Sequence, residues 1–124
     1  MLGNEGQAAA AVKLLDPVSA ANTAAATSGW IDVRGYEGDL VFLTQIGALT
    51  GSLTWTIEDA TDGSGTGAAG VTPNEGAFAA GAANQVQKRT VNAGAVRGWV
   101  RVVGTIVTGP ALVGASLLSR PKYA

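Results

Sequence analysis

The chain contains no cysteine and no histidine in its 124 residues. Without cysteine there can be no disulfide, no zinc–thiolate centre and no thiol nucleophile, and the redox compartment leaves no trace. Without histidine the Ser-His-Asp and Cys-His arrangements, His-ligated metals and the usual general base are all excluded. Only a carboxylate or lysine mechanism would remain for an enzyme, and no such pair stands in an obvious setting. The expectation is a protein that is not an enzyme, with no catalytic residue and no cofactor. Charge is scarce too, at 14% of residues against 47% apolar. That balance excludes a disordered tail and leaves two readings of the surface, bland or covered by a partner. The opening MLGNEGQAAAAVKLLDPV has neither the basic start of a signal peptide nor an apolar run long enough to span a membrane.

What the chain does have is glycine, eighteen of them, about twice the usual ~7% share and without a G-X-Y period. Many turns are implied. Residues 1–27 are Ala-rich, interrupted by Pro17, and end in small polar residues. They read as an extended N-terminal arm ordered by docking, or as a plain loose terminus, with Ala8 to Leu15 able to form one or two helical turns. Residues 28–124 read as the β domain. In GWIDVRG, Ile31 and Val33 alternate with Asp32 and Arg34. YEGD then makes a turn, and LVFLTQI is apolar on both faces, as in a central strand. LTWTIED puts Leu53, Trp55 and Ile57 on one face and Thr54, Thr56 and Glu58 on the other. Residues 60–85 form a long glycine- and alanine-rich connection anchored by Val71 and Phe78. VQKRTVN, AVRGWVRVVGTIVTG and ALVGASLLSR complete the strands, with Gly98 or Gly104 marking a bend in the long run. The fold class is all-β, an antiparallel β-sandwich or jelly-roll-like barrel of about six to eight strands.

Acid and base are segregated along the sequence. All nine acids precede residue 76, and after it come only bases: Lys88, Arg89, Arg97, Arg101, Arg120 and Lys122. As a nucleic-acid face this is sparse, with only Trp99 and Tyr123 near it for stacking, so no nucleic-acid partner and no membrane are expected. Complementarity with an acidic surface fits as well, and so does pairing between interleaved strands of one sandwich.

The stretch EDATDGSGTG, residues 58–67, is the one that suggests chemistry. Counted from Asp59, the third, fifth, sixth and twelfth positions are Thr61, Gly63, Ser64 and Gly70, which fails the helix–loop–helix calcium pattern. An irregular calcium site on Glu58, Asp59 and Asp62 stays open. The plainer reading is a tight turn in which Asp62-Gly63 supplies positive φ. GSGTG has neither the lysine nor the following helix of a phosphate loop. Trp30, Trp55 and Trp99 could form a sugar platform or serve as core and interface anchors. Trp99, on the same parity as Arg97 and Arg101, is the one expected to face outward.

SGWIDVRGYEGDLVFLTQIGALTGSLTWTIEDATDGSG, AVRGWVRVVGTIVTGPA and the closing LLSRPKY resemble a group of small structural proteins encoded among the virion genes of tailed bacteriophages. The shared pieces are an opening strand at Trp30 to Gly38, a strand and turn at Ile57 to Ser64, a strand at Ala95 to Thr105, and the basic end Lys122-Tyr123. The resemblance covers about three-quarters of the chain, and residues 65–85 depart from it in being richer in alanine and glycine. It implies a non-enzymatic β-sandwich subunit that decorates or cements the capsid by clamping major capsid protein subunits. Such proteins often act as trimers with a terminal arm on the shell, so a homotrimer is the favoured oligomer. Carried onto this chain, the expected interface residues are Leu14 and Leu15 of the arm, with Arg97, Trp99 and Arg101. A carbohydrate-binding or host-attachment module, or a tail or head–tail connector subunit, remains the alternative.

Overall fold

The computed structural model describes residues 10–20, 25–107 and 110–121. Two antiparallel sheets face each other as a β-sandwich. The strands are β1 (Ala10–Ala20), β2 (Ala25–Thr27), β3 (Ile31–Asp32), β4 (Tyr36–Leu49), β5 (Leu53–Ala60), β6 (Ala69–Val71), β7 (Gln85–Asn92), β8 (Trp99–Ile106) and β9 (Ala111–Pro121). One sheet runs β1-β9-β4-β7, and the other runs β2-β8-β5-β6 with β3 also paired to β8. A 3₁₀ turn, Ala93–Ala95, is capped by Asn92, whose Oδ1 accepts the Gly94 amide at 2.8 Å.

Period-two patterning makes these strands. Along β5, Leu53, Trp55 and Ile57 are buried while Thr54 and Thr56 are exposed. Along β4, Leu40, Phe42, Thr44 and Ile46 point into the core. Apolar residues thus line both inner faces, and their removal from water is what holds the sheets together. Trp55, only 1% exposed, is the largest core side chain. It fits because Gly104 of β8 carries no Cβ, which would lie 2.9 Å from the ring. The long C-terminal run is divided by Gly98 (φ +108), after which β8 begins.

Several local readings change in the folded chain. Ala10–Ala20 is a strand rather than helical turns, because it pairs with β9 from Ala10↔Ser119 to Ala20↔Ala111. Its register shifts between Leu15 and Val18, around Pro17, which has no N–H to give the ladder. Leu14 is 6% exposed and belongs to the core. The YEGD stretch is no turn. The chain turns earlier, where the Tyr36 amide donates to the Val33 carbonyl at 3.1 Å, and Gly38 (φ +73) sits in a register irregularity at the start of β4. The connection from β6 to β7 is a strap. Phe78 is buried beneath the Arg89 guanidinium, and Gly81 passes so close to the Leu53 carbonyl that any Cβ would lie 2.5 Å from it. The Gly81 amide donates to that carbonyl at 2.7 Å, while Asn74 and Glu75 bond Thr90 of β7.

Because Leu14 lies in the core and β1 covers the edge of β9, this segment contributes to stability. Leu14→Ala is expected to cost about 2–4 kcal/mol in chemical denaturation. Deleting residues 1–27 is expected to abolish cooperative melting, and a truncated chain that melts like the full one would contradict this packing.

Candidate interaction face

The EDATDGSGTG turn closes over the outer side of the five-stranded sheet, and its architecture comes from two aspartates. Asp62 organises the turn itself. Its Oδ1 accepts the amides of Ser64 (2.9 Å) and Thr66 (3.2 Å), and its Oδ2 accepts the Thr66 hydroxyl at 2.6 Å. The Gly65 amide donates to the Asp62 carbonyl, and the Thr61 amide to the Thr66 carbonyl. Positive φ falls at Gly65 (+85) and Gly67 (+68), not at the expected Asp62-Gly63 pair. Gly63 is needed for space instead: a Cβ there would meet the Trp99 ring at 3.0 Å, and one at Gly65 would meet Trp30 Nε1 at 2.8 Å. The turn therefore lies directly on the two tryptophans.

Asp59, at the end of β5, ties the turn to the sheet. Arg97 donates its backbone amide and Nε to Asp59 Oδ2, and its Nη2 to Asp59 Oδ1 at 2.8 Å. The same Nη2 reaches the carbonyls of Asp59 and Gly67, the latter at 2.7 Å. The Asp59 side chain is 9% exposed and that of Arg97 41%, so the carboxylate is shielded while the guanidinium faces water. Beside it, Glu58 and Arg101 stand opposite each other in register and form an ion pair at 2.7 Å. Arg101 also lies over the Trp30 ring, 4.5 Å from its centroid, and Arg34 lies over Trp99 at 5.5 Å. Arg34 in turn grips Asp32 through Nε and Nη2. Gly98 makes room for this, since a Cβ there would meet Arg34 Cγ at 3.1 Å.

The structure therefore brings Arg97, Trp99 and Arg101 together on one outer face, with Trp99 partly exposed. Each arginine is already bound by the chain's own acids. Leu14 is elsewhere, inside the core, because β1 turns it toward the facing sheet rather than toward a partner. Leu15 is placed only by its backbone, opposite Ala115; its side chain, like Lys122 and Tyr123, lies outside the described residues. Sequence reading placed Asp62 in a tight turn but missed its side chain as the turn's organiser, and missed Asp59 and Gly65 as groups that set this face. The D-x-S-x-T spacing from Asp62 to Thr66 is the signal that could have identified an aspartate-centred turn.

The carboxylates once considered for calcium are engaged otherwise: Glu58 by Arg101, Asp59 by Arg97 and Asp62 by its own turn. Among the described residues no group of three or more Asp or Glu is placed to hold a metal. As a sugar platform the tryptophans are poorly disposed. Trp55 is buried, and Trp30 and Trp99 already contact arginine and glycine backbone. A groove of ≈ 510 Å³ at this end of the sandwich has Val33 and Val96 beside Arg34 and Arg97, both of which are ion-paired. No protein-family model matches the chain, and a search of curated proteins returns no similar sequence.

The electrostatics make this face acid-labile. Hydrogen bonding and charge from Arg34 bring Asp32 down from 3.8 to about 2. The Arg97 guanidinium lowers Asp59, and the Thr66 hydroxyl and amide lower Asp62. A carboxyl whose pKa is depressed by folding stabilises the fold above its unfolded value and loses that contribution as pH falls through its folded value. The melting temperature is expected to hold steady from pH 7 to about 4 and to drop below that. Asp59→Asn should lower it at pH 7 and flatten the acid limb. An identical acid limb in the variant would contradict this role. Gly65→Ala should lower the melting temperature by several degrees and perturb the near-ultraviolet signal of Trp30, since the new methyl meets strain and ring together.

Proposed function

We propose that this protein is a non-enzymatic virion structural protein of a tailed bacteriophage, a capsid decoration or cement protein that binds and stabilises the major capsid protein lattice. It acts on the virion surface after synthesis in the host cytoplasm, as a homo-oligomer for which a trimer is favoured. It works by shape and buried area, and repetition over a lattice converts weak single contacts into avidity.

The observation that supports this reading most is where the resembling segments meet in space. Trp30 to Gly38, Ile57 to Ser64 and Ala95 to Thr105 together supply the Asp59–Arg97 and Glu58–Arg101 pairs, the Asp32–Arg34 pair and the approach of Gly63 to Trp99. The pieces that carry the resemblance are thus the pieces that brace a rigid β scaffold. Their acids and arginines serve that bracing, and none is left poised for proton transfer. Rigid modules of this kind bind with little ordering cost.

Copy number tests the reading. Quantitative mass spectrometry of purified virions is expected to find about one copy per major capsid protein subunit, as lattice-wide avidity requires. A handful of copies per particle would point to a vertex, connector or tail part, and absence from virions would overturn the capsid reading.

A further inference from the structure

The edge of a β-sheet is a row of unpaired amides and carbonyls on which another chain can add a strand. Most edges of this sandwich are poor templates. In the five-stranded sheet the outer strands β2, β3 and β6 are only two or three residues long. In the four-stranded sheet β1 carries Pro17 and two register shifts. β7 differs from all of these: its eight residues, Gln85–Asn92, contain no proline and pair with β4 without a shift. Among the described residues it is the one edge strand that is both long and regular.

That edge is occupied by the chain itself. The strap between β6 and β7 lies along it, and much of the bonding that a neighbouring strand would supply comes from side chains. The Thr90 amide donates to Glu75 Oε1 at 2.8 Å and the Thr90 hydroxyl to Glu75 Oε2 at 2.7 Å, while the Thr90 carbonyl accepts the Asn74 amide at 2.8 Å. Thr90 therefore points its backbone groups away from β4, and Val86 and Lys88 share that orientation by the two-residue period. Arg89 Nη1 donates to the Lys88 carbonyl at 2.8 Å. The Arg89 guanidinium also holds the carbonyls of Gly76 and Ala77, and the Gln87 carboxamide bonds both the amide and the carbonyl of Ala79. Further along, the Gly81 amide donates to the Leu53 carbonyl, on the part of β5 that β6 does not reach. The strap is rich in glycine and alanine and is not a strand, so it covers these groups without presenting a new edge.

We infer that the 72–84 strap is an edge guard, and that what it keeps off β7 is the β7 edge of a second copy of this chain. Two such edges are identical and run antiparallel about a two-fold axis, so pairing them would join two four-stranded sheets into one. The chain with its strap open is the associating species, and its population sets how readily copies add. The inference is independent of the decoration reading, because it concerns a contact the protein avoids rather than the partner it meets.

Sedimentation velocity of the full chain over a range of concentrations tests it, with Glu75→Ala as the main variant. Glu75 is exposed and its carboxylate bonds Thr90, so the variant should keep the far-ultraviolet circular dichroism of the wild type. Losing these two hydrogen bonds raises the open population about tenfold. Glu75→Ala is therefore expected to form larger species at concentrations well below those the wild type needs. Glu75→Gln keeps an acceptor for the Thr90 amide and should sediment as the wild type does. Arg34→Ala breaks an exposed ion pair on the braced face and should not associate. In the larger species the amides of Val86 and Lys88, which face the outer edge, should exchange hydrogen about tenfold more slowly. Sedimentation of Glu75→Ala like the wild type at every concentration would overturn the inference. So would equal association of Arg34→Ala, or larger species in which the Val86 and Lys88 amides exchange no more slowly.

Discussion

The Asp59–Arg97 pair is the contact on which one whole face of this protein depends. It fixes the end of β5 to Arg97, two residues before β8, and through Gly67 it draws the 61–68 turn down onto the sheet. The turn then covers Trp30 and Trp99, whose rings in turn receive Arg101 and Arg34. Arg97 can bond two carboxylate oxygens and two carbonyls at once because guanidinium is a planar fork of donors, a geometry lysine cannot reproduce. The carboxylate is shielded and the guanidinium is wet, so the pair gains more than an exposed ion pair would without the full desolvation cost of a buried one.

The segregation of acid and base along the sequence has its explanation in the topology. β5 belongs to the acidic half and β8 to the basic half, and they are neighbours in one sheet. Glu58 meets Arg101, Asp59 meets Arg97, and Glu37 of β4 lies across from Arg120 of β9. What looks along the chain like a basic tail for an acidic partner is largely cancelled within the fold. On the opposite sheet Lys88, which forms no ion pair among the described residues, stands near the exposed aliphatic side chain of Val86. The two broad faces therefore differ in kind, one cross-linked to itself and one open.

Much of the sandwich was legible because period-two burial is a strong signal. Leu53–Trp55–Ile57 alternates as written, LVFLTQI is a central strand with neighbours on both sides, and Val71 and Phe78 do anchor the glycine-rich connection. Among the described residues the strand count reaches nine because β2, β3 and β6 are only two or three residues long, too short for any periodicity to show. β1 was hidden for another reason. Alanines carry little pattern, and only the partner strand β9 decides that this stretch is extended. The candidate face was half legible: parity put Arg97, Trp99 and Arg101 on one side, but parity says nothing about what already binds them. The glycines of the turn read in sequence as a source of positive φ, whereas in the fold Gly63 and Gly65 also let backbone approach indole rings.

The Asp59–Arg97 pair, on this account, holds the 61–68 turn over Trp30 and Trp99. Acrylamide quenching of tryptophan fluorescence in the Asp59→Asn variant is the sharpest check on that hold. Quenching is expected to rise as the turn lifts from the two rings, while the buried Trp55 stays protected. Quenching identical to that of the wild type would mean that the pair does not hold the turn.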